Sequence, residues 1–388
     1  MKRRTFLLHT AAAAALPFTA FPNVNFNRYR LSAFSDAEYS RRAVDLVQRS
    51  VVIDMLNQFS MPGKELNGWL DNPSSFEASV QKYRDSGIDA FLLGHGAKNR
   101  KEALEYFTRW NRFITAVPHL TRRIDTPGDL EYVNRNGVTG IVLTFQDSKH
   151  FEAIDDVATF YNFGQRLSQL TYNYANQIGS GAFDNDDKGL TDYGRKVVAK
   201  MNEVGMSVDL SHCSDKTTLE AIELSSKPPI ITHANCRALN PGNPRTKTDE
   251  MITKMAAKGG VFGVAEIRFM VRGSEPVTIE HFLDHYDHLI KLVGAEHAGI
   301  GTDFDLDTDD GRVPFEERKK MYADTTGERF KKYRMHSNEK YIVGVEGLNH
   351  PKRTFDIVEG FIRRGYSDET IAMILGKNFI RAASQTWK

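Results

Sequence analysis

Short runs of apolar residues recur eight times along the chain, at 51–54, 88–93, 140–145, 167–172, 206–210, 229–232, 260–265 and 298–302. Between most of them lie longer segments whose apolar positions return every three or four residues: 74–86, 101–117, 191–204, 248–258 and 278–293. Runs of four to six residues suit strands buried on both faces, and the spaced segments suit helices with one buried face. Several of the helical segments open on Ser or Thr, the residues that cap a helix N-terminus. Ser214 or Asp215 does the same for a segment that closes near Ser226–Lys227. Gly137, Gly205, Gly259 and Gly294 stand just before strands, where helix C-caps are expected. A helix over 36–48 precedes the first strand, and 355–364, 368–375 and 378–384 read as closing helices.

Eight strand–helix alternations over some 250 residues predict an α/β fold with parallel strands, a (β/α)8 barrel of TIM type. An open doubly wound sheet is the poorer fit. Its first strand is normally followed by a glycine-rich turn, whereas 51–54 is followed by Met-Leu-Asn-Gln. In a barrel the residues ending each strand share one rim. In order these are 54–58, Gly94–His95, Gln146–Asp147, Tyr172–Asn173, His212, His233, Glu266 and 303–305, a polar and ligand-rich set.

Composition narrows the function classes. The 388 residues are 40% hydrophobic and 26% charged with a formal net charge of +1, an ordinary globular balance without the basic footprint of a nucleic-acid binder. No apolar run is long enough to span a membrane in the mature protein. Lys2-Arg3-Arg4-Thr5-Phe6-Leu7-Leu8 and the small apolar residues through Ala20 read as a twin-arginine-type export signal, which predicts a periplasmic protein. The expected organisation is a signal over 1–20, a leader over 21–44 and a single barrel domain over 45–388. The two cysteines, Cys213 and Cys236, make no disulfide framework; a bridge between them and two buried free thiols both remain open.

Three features of the rim carry chemistry. His212 and His233 end consecutive parallel strands, so two imidazoles sit side by side, a pairing that suits a borderline metal such as zinc. Asp303 ends the eighth strand and could ligate a metal or take a proton. Arg245 closes the Pro/Gly loop Asn240-Pro-Gly-Asn-Pro-Arg245, where a guanidinium could clamp a carboxylate.

Val208-Asp-Leu-Ser-His212, Thr232-His233-Ala-Asn-Cys-Arg237, Pro244-Arg245 and Gly301-Thr-Asp303-Phe-Asp305 together resemble the renal or membrane dipeptidase family of zinc metallopeptidases. Val345-Glu-Gly-Leu348, Arg364-Gly-Tyr-Ser and Ile374-Leu-Gly-Lys-Asn-Phe are similar to that family as well. The resemblance covers roughly 45–388. It implies a metallo-dependent hydrolase barrel, often a homodimer, with a two-metal site that hydrolyses small dipeptides. It also implies His212 and His233 on the second zinc, Asp303 on the first zinc and in proton transfer, and Arg245 on the substrate's terminal carboxylate.

The departures reshape that expectation. Leu56 and Gln58 stand where the family carries a His-x-Asp, Gln146 stands for the bridging glutamate, and Tyr172 stands for a substrate-contacting histidine. Two dications a few ångströms apart need anionic ligands between them, and here those are neutral. The expectation is therefore one zinc, held by His212, His233 and Gln146. Asp303, Asp209, Cys213 and Cys236 are further candidates for the third ligand, and the hydroxyl of Tyr172 would steady an oxyanion or bind substrate. The function expected is hydrolysis of a dipeptide or peptide-like amide bond. A non-hydrolytic tailoring enzyme and an inactive peptide-binding barrel are the alternatives.

Overall fold

The computed structural model describes residues 39–59, 64–274, 276–306, 344, 345, 347, 348 and 350–388. The expected export signal and residues 21–38 of the leader lie outside the described residues.

Among the described residues nine strands are formed: β1 (Ile53–Asn57), β2 (Ala90–Leu93), β3 (Thr121–Arg123), β4 (Thr139–Phe145), β5 (Gln165–Gln169), β6 (Ser207–Asp209), β7 (Ile230–Ala234), β8 (Val261–Val264) and β9 (Ala298–Ile300). Every pairing is parallel, and the β2–β4 and β1–β9 pairings close the sheet on itself. Eight strands form the ring, and β3 lies beside the first half of β4. This is the (β/α)8 barrel expected from the alternation, with β3 as an addition.

The staves keep the period of two that buries both faces. Phe91 and Leu93 point outward, in one apolar cluster with Phe107 and Trp110 of helix Arg100–Ala116. Ala90 and Leu92 belong to a second cluster with Ile53, Met55, Leu167 and Val261. Phe379 of helix Asn378–Thr386 and Trp387, which directly follows it, join that second cluster, and the Trp387 indole N–H donates to Ser207 Oγ at the start of β6 (2.9 Å). The amino ends of the strands are thereby sealed, so the carboxyl rim is the face on which a site can open.

The helices follow their expected caps. Thr191, Ser214 and Thr248 each accept a hydrogen bond from the backbone N–H three residues on, which fixes Ser214 as one N-cap. Gly137, Gly205, Gly259 and Gly294 all have positive φ, the conformation that stops a helix cheaply when no β-carbon is present. Two expectations shift. The single helix over 74–86 is a 3-10 segment, Pro73–Ala78, followed by helix Val80–Asp85, because the chain turns at Ser79 to bury Phe76. The strand expected over 167–172 is Gln165–Gln169, displaced toward polar residues. Gln165 is satisfied by His150 (3.0 Å), and Arg166 by the Asp125 carbonyl (2.7 Å) and carboxylate (3.1 Å), so these buried side chains need no apolar character.

One titration belongs to the sealed end. Asp89, at the foot of β2, accepts from Val52 N–H (2.7 Å) and Asn134 Nδ2 (3.1 Å), and burial pushes its carboxyl from the usual carboxylate range up to about 7. The folded state holds this proton above the pH at which the unfolded chain releases it. Its contribution to stability is therefore full below about pH 4 and is lost as pH rises through about 7. Thermal unfolding of wild type and Asp89→Asn across pH 4.5–8 should show the variant losing less stability with rising pH, and parallel curves would contradict the assignment.

A candidate metal centre at the barrel mouth

Asp209 ends β6 buried, and its carboxylate accepts from Ser211 N–H (3.0 Å) and Oγ–H (2.6 Å) and from Thr232 N–H (3.1 Å) and Oγ1–H (2.7 Å). One carboxylate thus joins the ends of β6 and β7 beside their histidines. The same device recurs across the barrel. Asp54 on β1 accepts from Thr302 N–H (2.9 Å) and Oγ1–H (2.6 Å), directly before Asp303. Gly263 and Gly301 allow β8 and the end of β9 to press against the Thr232 carbonyl, where a β-carbon at either position would overlap the oxygen.

This scaffold sets the imidazole tautomers. Thr232 Oγ1 directs its hydroxyl hydrogen to Asp209, so His233 Nδ1, 2.7 Å from that oxygen, is the donor between them. His212 Nδ1 likewise donates to Asn173 Oδ1 (2.7 Å). Each ring then carries its lone pair on Nε2, and the two Nε2 atoms face each other at 2.9 Å. Two lone pairs that close repel unless a proton or a cation lies between them. Burial, with Arg245 and Lys247 nearby, holds His233 well below the usual imidazole range, which disfavours the proton. The Gln146 amide lies 3.2 Å from the same His233 Nε2, close enough to turn its carbonyl oxygen to the same point. Tyr172, three residues beyond β5 rather than at its end, stacks on His212 with ring centroids 4.2 Å apart.

The remaining candidates are differently engaged. Asp303 is held at a φ of +60°, and its carboxylate accepts from the Gln58 amide (2.8 Å) rather than meeting the histidines through a hydrogen bond. Burial raises it to about 6, with Arg245 and the Gln58 hydrogen bond pulling it back down. The absent β-carbon of Gly94 leaves the space this amide occupies, since it would lie 2.9 Å from Gln58 Nε2. Leu56 is buried. Glu266, on the rim, is paired with Arg353 (3.2 Å), and burial pushes it up to about 8. Asp209 is saturated by its four donors, and Cys213 and Cys236 are separate buried free thiols, in contact with Thr171 Oγ1 (3.5 Å) and the His285 carbonyl (3.7 Å). Among the described residues no three His, Cys, Asp or Glu side chains gather as a metal site. The donors that do converge are His212, His233 and the neutral Gln146. They fit one ion, while Leu56 and the Gln58–Asp303 pair do not fit a second.

Arg245 is 1% exposed. Its Nη1 donates to the Ser211 carbonyl and its Nη2 to the His233 carbonyl (2.9 Å), and Nε has no hydrogen-bond partner among the described residues. Ser211 and Thr232, which with the rim residue Asn173 orient the imidazoles, were not singled out by sequence reasoning. The available signal was the Thr that directly precedes both His233 and Asp303, each facing an Asp on a neighbouring strand.

The comparisons agree with this architecture. The chain is 37% identical over 226 residues to dipeptidase verJ of Clonostachys rogersoniana (57% of this chain, 48% of the relative). It is 33% identical over 213 residues to an uncharacterized dipeptidase of Schizosaccharomyces pombe (53% of this chain, 51% of the relative). The chain thus spans about half the length of these curated relatives. Among solved structures, an amidohydrolase from Pseudomonas aeruginosa superposes with a TM-score of 0.73 at 26% identity, covering 89% of this chain and 99% of that one. The pattern of the membrane dipeptidase family, peptidase family M19, matches residues 40–317, and the chain belongs to that family of metallopeptidases.

Proposed function

We propose that this chain hydrolyses the amide bond of a dipeptide or similar small peptide-like substrate with the help of one zinc ion. The observation that carries the reading is the pair of Nε2 lone pairs 2.9 Å apart at the mouth, each fixed by an Nδ1 hydrogen bond on the far side of its ring. His212, His233 and the Gln146 oxygen would hold the metal, which when bound would lower the pKa of water toward neutrality and polarise the scissile carbonyl.

The chain's own groups supply the rest. Asp303, positioned by Gln58 and by its left-handed backbone, takes the proton from the attacking water and returns it to the leaving amine. Tyr172, stacked on His212, offers its hydroxyl to the carbonyl oxygen as negative charge develops there. Stacking restricts the phenol to a plane, so it donates without reorganising during the reaction. The same reading places the protein in the periplasm, exported by residues 1–20, and as a homodimer; cell fractionation and sedimentation check the two.

The test is hydrolysis of alanyl-alanine by protein supplied with one equivalent of zinc, followed by release of free alanine. Release that stops on chelation and returns with zinc is expected. A product without free alanine would favour a tailoring enzyme, and tight binding without turnover would favour a binding barrel.

A further inference from the structure

Asp303 stands in a short segment that is held on both flanks. Before it, Asp54 takes the N–H and the hydroxyl of Thr302, and the Asp303 N–H donates to the Leu56 carbonyl (2.9 Å). After it, the holder is Arg353, the first residue of helix Arg353–Arg363 and wholly buried. Its guanidinium commits all three nitrogens to the protein: Nε to the His350 carbonyl (3.2 Å), Nη1 to the Glu266 carboxylate (3.2 Å) and Nη2 to the Asp305 carbonyl. The guanidinium carbon also lies 5.8 Å from the centre of the Phe304 ring. Glu266 in turn donates its N–H to the Thr302 carbonyl (3.1 Å). Arg353 therefore meets residues 304 and 305 directly and reaches 302 through Glu266. The helix that carries it is itself fixed, since Tyr39 stacks on Phe355 (5.2 Å between ring centres) and donates to the Asp356 carboxylate (2.6 Å).

We propose that Arg353 is a positioning residue for Asp303, a buried brace that holds the 302–305 segment so that the Asp303 carboxylate stays against Gln58 at the mouth. Asp303 has a φ of +60°, and a residue other than glycine keeps that conformation where its surroundings over-determine it. Pinning Thr302 on one flank and Asp305 on the other supplies that constraint. A planar guanidinium serves three oxygens in fixed directions, whereas the ammonium of lysine is a point charge that cannot meet all three with the same geometry. None of these contacts involves His212, His233 or Gln146, so the brace acts on the proton-transfer half of the site and not on the half that would hold the metal. The consequence for catalysis rests on Asp303 as the base of the proposed hydrolysis; the placement of its carboxylate does not.

The experiment compares wild type with Arg353→Lys and Glu266→Gln in the full chain. Three quantities are read: kcat and KM on alanyl-alanine, zinc affinity by competition with a chromophoric chelator, and the side-chain amide signal of Gln58 in metal-free protein by glutamine-selective nitrogen NMR, assigned by its loss in Gln58→Asn. Arg353→Lys should lower kcat by about 10²-fold, the cost of an ångström's misplacement of a catalytic group, with KM and zinc affinity nearly unchanged. The Gln58 amide signal should move, because its acceptor is the Asp303 carboxylate. Glu266→Gln keeps an acceptor for Nη1 but removes the charge that holds it, so kcat and the Gln58 signal should change in the same direction by less. That variant decides the matter should Arg353→Lys not fold. A folded variant whose kcat and Gln58 signal match wild type would overturn the proposal and leave Arg353 as a link between helix and barrel only. Loss of zinc affinity in step with kcat would overturn it as well, since the effect would then run through the histidines. A wild type that binds zinc but does not cleave alanyl-alanine would remove the hydrolytic reading, while the Gln58 signal in the variants still decides whether Arg353 places Asp303.

Discussion

His233→Ala should abolish zinc binding and lower kcat/KM on alanyl-alanine by at least about 10³-fold, because the bound water would lose the acidity that makes it a nucleophile near neutral pH. The ring is fully buried, and its Nε2 is the atom on which both the His212 Nε2 and the Gln146 amide converge. Among the described residues, Asp209 is saturated by its four donors and Cys213 lies against Thr171, so neither takes its place. Unfolding curves recorded alongside separate loss of the ion from loss of the fold. A variant that stays folded and binds zinc as tightly as wild type would show that the metal is held elsewhere.

Asp303→Asn should leave zinc stoichiometry unchanged and lower kcat by about 10²–10⁴-fold, the range expected when a positioned general base is removed. The substitution conserves shape, and Asn is one of the few residues besides Gly that tolerates a φ of +60°. Gln58 can turn its amide to pair with the new side chain, so the local geometry survives while the proton acceptor is lost. Comparison of kcat and KM separates the roles: a fall in kcat with KM nearly constant marks a group acting in the transition state, and a rise in KM alone would reassign Asp303 to substrate binding.

The barrel was legible because its strands are buried on both faces and so appear as short apolar runs with helical periodicity between them. Positive-φ glycines at 137, 205, 259 and 294 marked where helices stop. Legibility failed where burial is compensated by hydrogen bonds instead of apolar contact. Gln165–Gln169 and Thr121–Arg123 hold few apolar residues, and helix Pro127–Asn136 buries only Leu130 and Val133 behind a Thr126–Asp129 capping box.

At the mouth, the histidine pair followed from strand order, since consecutive parallel strands bring their ends together. The state of those histidines did not, because it depends on Asp209, Thr232 and Asn173 reaching them from neighbouring strands. Arg245 illustrates the same limit. A Pro/Gly loop ending in arginine reads as a clamp for a carboxylate, and no local pattern shows that the guanidinium is buried and also donates to two carbonyls. Which way a loop cation points is settled by contacts that no local pattern records.

Metal content per chain, measured on protein purified without chelators, tests the central claim most directly. One ion per chain, reduced to none by His233→Ala, is the result expected from two imidazoles facing an otherwise neutral half of the mouth. Two ions per wild-type chain would contradict it, because the second would have to sit where Leu56 and the Gln58–Asp303 pair offer no adequate ligand set.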